Sequence, residues 1–320
     1  MVDDVRNNQC FQILLQGANS PFFLSLYSEV VKLSNSLGLL NKQDILTNLE
    51  RLWLPIALDI SLEREKLNRT LIQGVLGGQG TGKTTFCLIL KLILHYLGYS
   101  VACLSIDDLY LTYEERKQLQ QQDARLIWRG PPGTHDLKLG LDVLNQCLEG
   151  DEKSEISLPR FDKSLFNGAG DRSEAETIFK PDILLFEGWF VGVRPIPPDC
   201  FSDPPPPIIT PEDQEFALVN NQRLEAYLPL WAKLDRLIVF NPEDYRLSIQ
   251  WRKEAEHKMI ALGKTGMTDA EITRFVEYFW KSLHPELFIK PLISNPELVD
   301  LVVEIKSDRA YGKIYQPQRS

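Results

Sequence analysis

The sequence predicts an α/β protein: a parallel β-sheet flanked by helices, preceded by an appendage built of helices. Three observations carry that prediction. From about residue 70 onward, short apolar runs rich in β-formers alternate with helical stretches, the pattern of βαβ units. A glycine-rich segment, Gly77-Gly78-Gln79-Gly80-Thr81-Gly82-Lys83-Thr84, stands between one such run and an apolar helix. Residues 1–68 instead repeat apolar side chains at helical spacing and hold few strand signals. The chain is therefore divided into an appendage over 1–68 and an α/β domain over 69–320.

In the appendage, Phe22, Phe23, Leu26, Val30, Val31 and Leu33 recur at helical spacing, as do Ile45, Leu49, Leu52 and Leu54. Strands are expected at Leu71–Leu76, Val101–Ile106, Ile183–Phe186, Leu237–Phe240 and Leu301–Ile305. Each is nearly all apolar, as strands covered on both faces require. The greasiest stretch, Phe86–Leu104, is interrupted by Lys91, His95 and Gly98, so it reads as a buried helix and a strand and not as a membrane span. Pro195–Pro211, with prolines at 204 to 207, must be a loop. Thr268-Asp269-Ala270-Glu271 is a capping box that opens a helix running to about Leu283. No internal repeat is visible.

Composition narrows the class. The 320 residues are 43% apolar and 25% charged, which suits one large domain with an appendage. A formal net charge of −9 argues against nucleic acid as the main partner, because backbone phosphates select a basic face. Cys10, Cys87, Cys103, Cys147 and Cys200 are few and scattered, without a CxxC pair, so a reducing compartment without structural zinc is expected. The acidic start Met1-Val2-Asp3-Asp4-Val5-Arg6 lacks the order of a signal peptide. A cytoplasmic protein without a membrane partner is expected; oligomeric state is not legible.

The glycine-rich segment fits GxxxxGK[ST], with a strand before it and a helix, expected over Thr85–Leu97, after it. That is the context of a P-loop NTPase. Glycines let successive backbone N–H groups turn onto phosphates, and the helix N-terminus adds partial positive charge. Gly77, Gly78, Gln79, Gly80, Thr81, Gly82, Lys83, Thr84 and Thr85 are thus the expected nucleotide contacts. Lys83 would neutralise the β- and γ-phosphates catalytically, and Thr84 would set its hydroxyl on Mg²⁺, making ATP and Mg²⁺ the cofactors. Asn41-Lys42-Gln43-Asp44 matches the guanine-reading NKxD pattern, but it precedes the loop inside a helical region, so guanine recognition is not expected.

Two acidic sites should meet the loop. Glu187 ends the apolar run after Asp182, where a carboxylate can hold Mg²⁺ or orient a nucleophile. Ser105-Ile106-Asp107-Asp108-Leu109-Tyr110 places two acids after a strand that, in a parallel sheet, ends on the same edge as the loop. A kinase needs a base for the acceptor's hydroxyl proton, whereas a hydrolase needs only to position water. Asp107 is the expected base, with Asp108 and Tyr110 as acceptor contacts beside it.

The span between Asp107 and Glu187 carries His135, Arg160, Lys163 and Arg172. Gathered in one pocket, they suit a small anionic acceptor. Later, Arg246, Arg252, Lys253, Lys258 and Lys264 stand against Glu254 and Glu256. A basic helix there can act as a lid, with Arg252 as its catalytic cation, although Arg252 and Glu256 are also spaced to pair at i, i+4. Ser307–Ala310, after the last strand, is a candidate wall for the adenine.

Taken together, GGQGTGKTT, SIDDLYLT, RGPPGTHD, LPRFDKS with GDRS, LLFEGWFVG and NQRLEAY resemble the plant- and cyanobacterial-type D-glycerate 3-kinases. Those stand with phosphoribulokinase, uridine kinase and bacterial pantothenate kinase among P-loop small-metabolite kinases. The resemblance covers roughly residues 70–315 in order, making 69–320 a P-loop kinase domain. It implies ATP-dependent phosphorylation of D-glycerate to 3-phosphoglycerate, the step that returns photorespiratory glycerate in a photosynthetic organism. It implies Asp107 as the acid activating the acceptor hydroxyl, Glu187 as the strand-end acid near Mg²⁺, and His135, Arg160 and Arg172 at positions facing the acceptor. Related kinases carry several arginines in the lid, where this chain has Arg252 with lysines. A sibling kinase for uridine, pantothenate or a sugar phosphate is the nearest alternative, and a regulatory P-loop NTPase a further one.

Overall fold

The computed structural model describes residues 20–318 apart from 40, 152, 262, 264 and 265. Cys10, Lys264 and the start of the appendage lie outside the described residues. In chain order the elements are α1 (Pro21–Ser36), α2 (Lys42–Asn48), α3 (Leu54–Leu67), β1 (Leu71–Gly77), α4 (Lys83–Tyr96), β2 (Val101–Ser105), α5 (Tyr113–Gln122) and α6 (Leu137–Glu149). There follow β3 (Glu155–Asp162), β4 (Asp171–Phe179), β5 (Ile183–Gly188), α7 (Pro211–Arg223), α8 (Leu228–Trp231), β6 (Arg236–Pro242), α9 (Leu247–Ala261), α10 (Asp269–Ser282), α11 (Pro285–Leu292), β7 (Leu301–Ile305) and β8 (Tyr311–Tyr315). Two compact units result. Of the described residues, one holds those up to Leu71 with Thr84–Cys103 and Pro181–Leu185; the other holds those in Ile72–Lys83, in Leu104–Lys180 and from Phe186 on.

In the first unit α1 starts at Ser20, whose side chain accepts the Phe23 N–H at 3.1 Å, with Pro21 in the first turn where its missing N–H costs nothing. Phe23, Leu26 and Val30 form its buried stripe. Asn41 caps α2 through the Gln43 N–H at 3.0 Å, so the NKxD tetrapeptide is a helix start. Asp182 gathers the Arg64 guanidinium at 2.7 Å and the Ser100 N–H at 2.9 Å.

The principal sheet has strand order β2-β5-β1-β6-β7-β8. β1 runs parallel to β6, with Val75 opposite Ile238, and β6 parallel to β7, with Phe240 opposite Val303. All five expected strands form, each end within two residues of its expected place. The antiparallel edge strand β8 was not expected. Its Tyr311-Gly312-Lys313-Ile314-Tyr315 is mostly exposed and has no apolar run to betray it. The antiparallel pair β3–β4 was also not expected; six of the nine residues of β4 are exposed, and β3 has no continuous apolar run.

Within the second unit, Thr268 and Glu271 form the expected reciprocal cap, with Glu271 Oε2 accepting the Thr268 N–H at 2.8 Å. α10 then buries Ile272, Val276 and Trp280 against Tyr245 and Ile249. Among the described residues no helix is long and apolar enough to cross a membrane, and no disulfide joins Cys87, Cys103, Cys147 and Cys200 to one another.

Candidate active site

The phosphate loop leaves the fully buried β1 and turns at Gly80, whose φ is +79°. A Cβ there would stand 2.6 Å from Trp251 Cβ of α9, so both conformation and space require glycine. Thr81 donates its hydroxyl to the Gly78 carbonyl at 2.8 Å and closes the turn. Lys83, Thr84 and Thr85 are the first three residues of α4. The Lys83 ammonium lies 3.9 Å from Glu187, which the end of β5 buries to 6% exposure.

Directly after β2 the chain makes a 3-10 turn over Ile106–Leu109. Ser105 Oγ accepts the Asp107 N–H at 3.3 Å, and Asp108 accepts the Ser105 N–H at 3.0 Å, a capping box made of local chemistry. Asp108 also accepts from the Phe161 N–H at 3.3 Å and Arg160 Nη1 at 3.0 Å, so its carboxylate ties the turn to β3. Asp107 instead faces the Lys163 ammonium at 2.5 Å and the Tyr110 hydroxyl. Burial pushes its pKa up, but Lys163, Lys83 and the Tyr110 bond outweigh burial and hold it below the usual carboxylate value. Asp108 goes the other way: burial wins over its bonds from Ser105, Arg160 and Phe161, and its pKa rises. Burial and the Asp107 charge hold the Tyr110 phenol well above its ordinary pKa, keeping it a donor.

His135 stacks on Tyr110, ring centroids 4.6 Å apart. Its Nδ1 is 2.7 Å from Tyr227 Oη, which also accepts the Gly133 N–H at 2.8 Å. If the Tyr227 proton is the one shared with Nδ1, the neutral imidazole carries its own proton on Nε2. That buried Nε2 has no protein partner among the described residues. Burial lowers the His135 pKa to about 3 despite the opposing Asp107 charge, so the ring is neutral. Tyr227 stands 92 residues from His135, and no spacing in the sequence joins them.

The predicted cations sit close to this cluster, each already facing an acid. Arg160 bridges Asp108 at 3.0 Å and Glu176 at 2.5 Å. Lys163 holds Asp107, and Arg172 reaches Asp136 at 2.8 Å and the Tyr110 carbonyl at 3.1 Å. Arg252 pairs with the buried Glu256 at 2.9 Å, and its guanidinium lies 5.8 Å from the Phe275 ring centroid. Its neighbour Trp251 abuts Gly80 and donates Nε1–H to the Ser307 carbonyl at 3.1 Å, so α9 borders the loop and is tied to the turn after β7. A cavity of about 480 Å³ opens beside Gly77, Gly78 and Thr81, walled by Trp189, Tyr245, Phe279 and Trp280. Phe279 and Trp280 come from α10, whereas Trp189 follows β5 inside the LLFEGWFVG segment.

No protein-family model matches the chain. It is 32% identical over 252 residues to "D-glycerate 3-kinase, chloroplastic" of Arabidopsis thaliana, taking in 75% of this chain and 53% of that protein, so it spans about half that relative's length. It is 32% identical over 251 residues to the Saccharomyces cerevisiae protein named "Probable ATP-dependent kinase TDA10", covering 73% of this chain and 83% of that one. The solved D-glycerate 3-kinase from Cryptococcus neoformans superposes with a TM-score of 0.69 at 26% identity, over 83% of this chain and 99% of the other. A parallel sheet, a glycine-rich loop entering α4, and this identity over most of a kinase's length have one reading: the chain belongs to the P-loop kinase family that includes D-glycerate 3-kinase.

Proposed function

We propose that the protein transfers the γ-phosphoryl group of ATP, with Mg²⁺, to the 3-hydroxyl of D-glycerate, giving 3-phosphoglycerate and ADP. The observation that carries this reading is Asp107, a half-buried carboxylate whose pKa Lys163 and the phosphate-loop Lys83 hold below the usual value. Such a group suits a base for a hydroxyl proton, which water-directed hydrolysis does not need. The hydroxyl oxygen attacks the γ-phosphorus, the bond from that phosphorus to the β–γ bridging oxygen breaks, and the hydroxyl proton passes to Asp107. Lys83 offsets the charge on the phosphates. Tyr110 holds Asp107, the acceptor hydroxyl taking the place of the Lys163 ammonium beside it, while His135 faces an acceptor oxygen through Nε2. Arg252 supplies lid charge to the transferring group on leaving Glu256. Asp108, Arg160 and Arg172 support this pocket by fixing β3 and β4 against the turn after β2.

Magnesium takes hard oxygen ligands and keeps most of its water and phosphate oxygens, so it needs only one or two groups from the protein. The Thr84 hydroxyl and the Glu187 carboxylate are donors of that kind, and the ion would supply charge neutralisation at the phosphates. The name of the Arabidopsis relative and that of the Cryptococcus structure favour glycerate over the uridine, pantothenate or sugar-phosphate acceptors of sibling kinases. A cytoplasmic role in returning photorespiratory glycerate follows if the source organism is photosynthetic.

Incubation with ATP, Mg²⁺ and D-glycerate, followed by NMR of the products, is expected to give 3-phosphoglycerate. ADP release no faster than in buffer, but fast with uridine, pantothenate or a sugar phosphate, sinks the glycerate reading. Turnover indifferent to every acceptor points to a regulatory NTPase. Lys163→Met tests the electrostatics of the base. Activity falls as pH drops through the pKa of Asp107, and loss of the Lys163 charge, which holds that pKa down, raises it. The acid limb of kcat/KM for the acceptor is therefore expected to move to higher pH. A limb that stays put, or moves down, removes Asp107 as its source.

A further inference from the structure

Arg160, Lys163 and Arg172, the cations that the sequence offers to an anionic acceptor, all face acids. Two other arginines of the same neighbourhood do not. Arg116, on α5, donates to the carbonyls of Leu111, Ala169 at 2.8 Å and Gly170 at 2.5 Å. Arg129 donates Nη1 to the carbonyls of Gly168 at 2.7 Å and Ala169 at 2.9 Å. The shared Ala169 oxygen sets the two guanidinium groups side by side. Both lie over the Phe161 ring, 5.2 and 5.6 Å from its centroid, and Arg129 is 6.0 Å from that of Tyr110.

Neither arginine makes an ion pair among the described residues, and Arg129 Nε and Nη2 donate to no protein acceptor there. Asp171 acts on Arg116 only from beyond ion-pair distance, its Oδ1 already accepting the Tyr113 and Arg172 N–H groups. Backbone carbonyls orient the guanidinium groups without cancelling their charge. Two like charges this close repel each other, and an anion between them turns that cost into attraction. A planar carboxylate matches the guanidinium fork with two parallel bonds. The pair also stands beside Tyr110, whose hydroxyl bonds the base Asp107.

We propose that Arg116 and Arg129 form a carboxylate clamp that seats the phosphoryl acceptor, leaving its hydroxyl to reach Asp107 past the Tyr110 ring. This rests on the hydroxy-acid reading of the acceptor and names the group that recognises it.

Arg129→Gln and Arg129→Lys in the full chain test the clamp, using D-glycerate, its neutral amide D-glyceramide and inorganic phosphate as probes. By steady-state kinetics Arg129→Gln is expected to lose about 10- to 100-fold in kcat/KM for D-glycerate, mostly through KM, with KM for ATP little changed. Arg129→Lys, which keeps the charge and the packing stem but not the fork, should recover part of it and serves if the glutamine variant is unstable. In calorimetric titrations without nucleotide, the wild type should bind D-glycerate at least tenfold more tightly than D-glyceramide, and Arg129→Gln should erase that difference. Equal losses for acid and amide, undiminished D-glycerate binding by Arg129→Gln, or no binding of either anion by the wild type overturns the clamp. Anion binding that depends on Arg129, without any phosphorylation of D-glycerate, upholds the clamp and overturns the proposed acceptor instead.

Discussion

Replacing Asp107 with asparagine is expected to lower kcat by about 10² or more while leaving KM for ATP near the wild-type value. Asparagine keeps the shape and can still accept hydrogen bonds from Tyr110 and Lys163, so packing in the turn after β2 changes little. What it cannot do is take a proton. That function operates only as the hydroxyl oxygen bonds to phosphorus, so the loss belongs in kcat and not in nucleotide binding. The carboxyl is suited to this work because Lys163 and Lys83 keep it charged against the pull of burial. Unchanged kcat removes Asp107 from the chemistry and makes Asp108 the next carboxylate to replace, although its bonds to Ser105, Phe161 and Arg160 mark it as the anchor of the turn.

Lys83→Ala is expected to cut ATP turnover by about 10²–10³, measured as ADP formation at saturating acceptor. The ammonium is the loop's own point charge at the phosphates, and it lies 3.9 Å from Glu187. Removing it also leaves a buried carboxylate without its nearest cation, so a modest fall in thermal midpoint should accompany the loss of rate. Lys83→Arg separates the two effects. It restores a positive charge beside Glu187, and hence stability, without restoring the compact ammonium that the loop is shaped to present. Turnover within tenfold of the wild type in Lys83→Ala would show that this lysine is not the phosphate-neutralising group.

Much of the scaffold was legible because its signals are local. The phosphate loop is eight consecutive residues whose glycines, lysine and threonine each have a reason to be there. The Thr268–Glu271 cap is a bond between neighbours in sequence. β1, β5 and β6 announce themselves as apolar runs because most of their residues are buried on both faces. Where a strand is exposed, as in β4 and β8, that signal vanishes and only pairing with a partner defines it. Asn41 shows the converse error of letters without context, a nucleotide-reading pattern that is a helix cap.

The sequence alone determined which chemistry is present: a phosphate-binding turn, acids after β2 and β5, and a supply of cations between them. It did not decide which of those charges remain available. Arg160, Lys163 and Arg172 looked like the anion binders, yet acids distant in sequence meet them, while Arg116 and Arg129 keep their charge because only carbonyls do. Asp107 and Asp108 are chemically identical neighbours whose pKa values move in opposite directions. His135 meets its Nδ1 partner in a tyrosine 92 residues away. These outcomes depend on burial and on what lies within a few ångströms, and only the folded chain brings those groups together, because Coulomb attraction and desolvation act through space and not along the sequence.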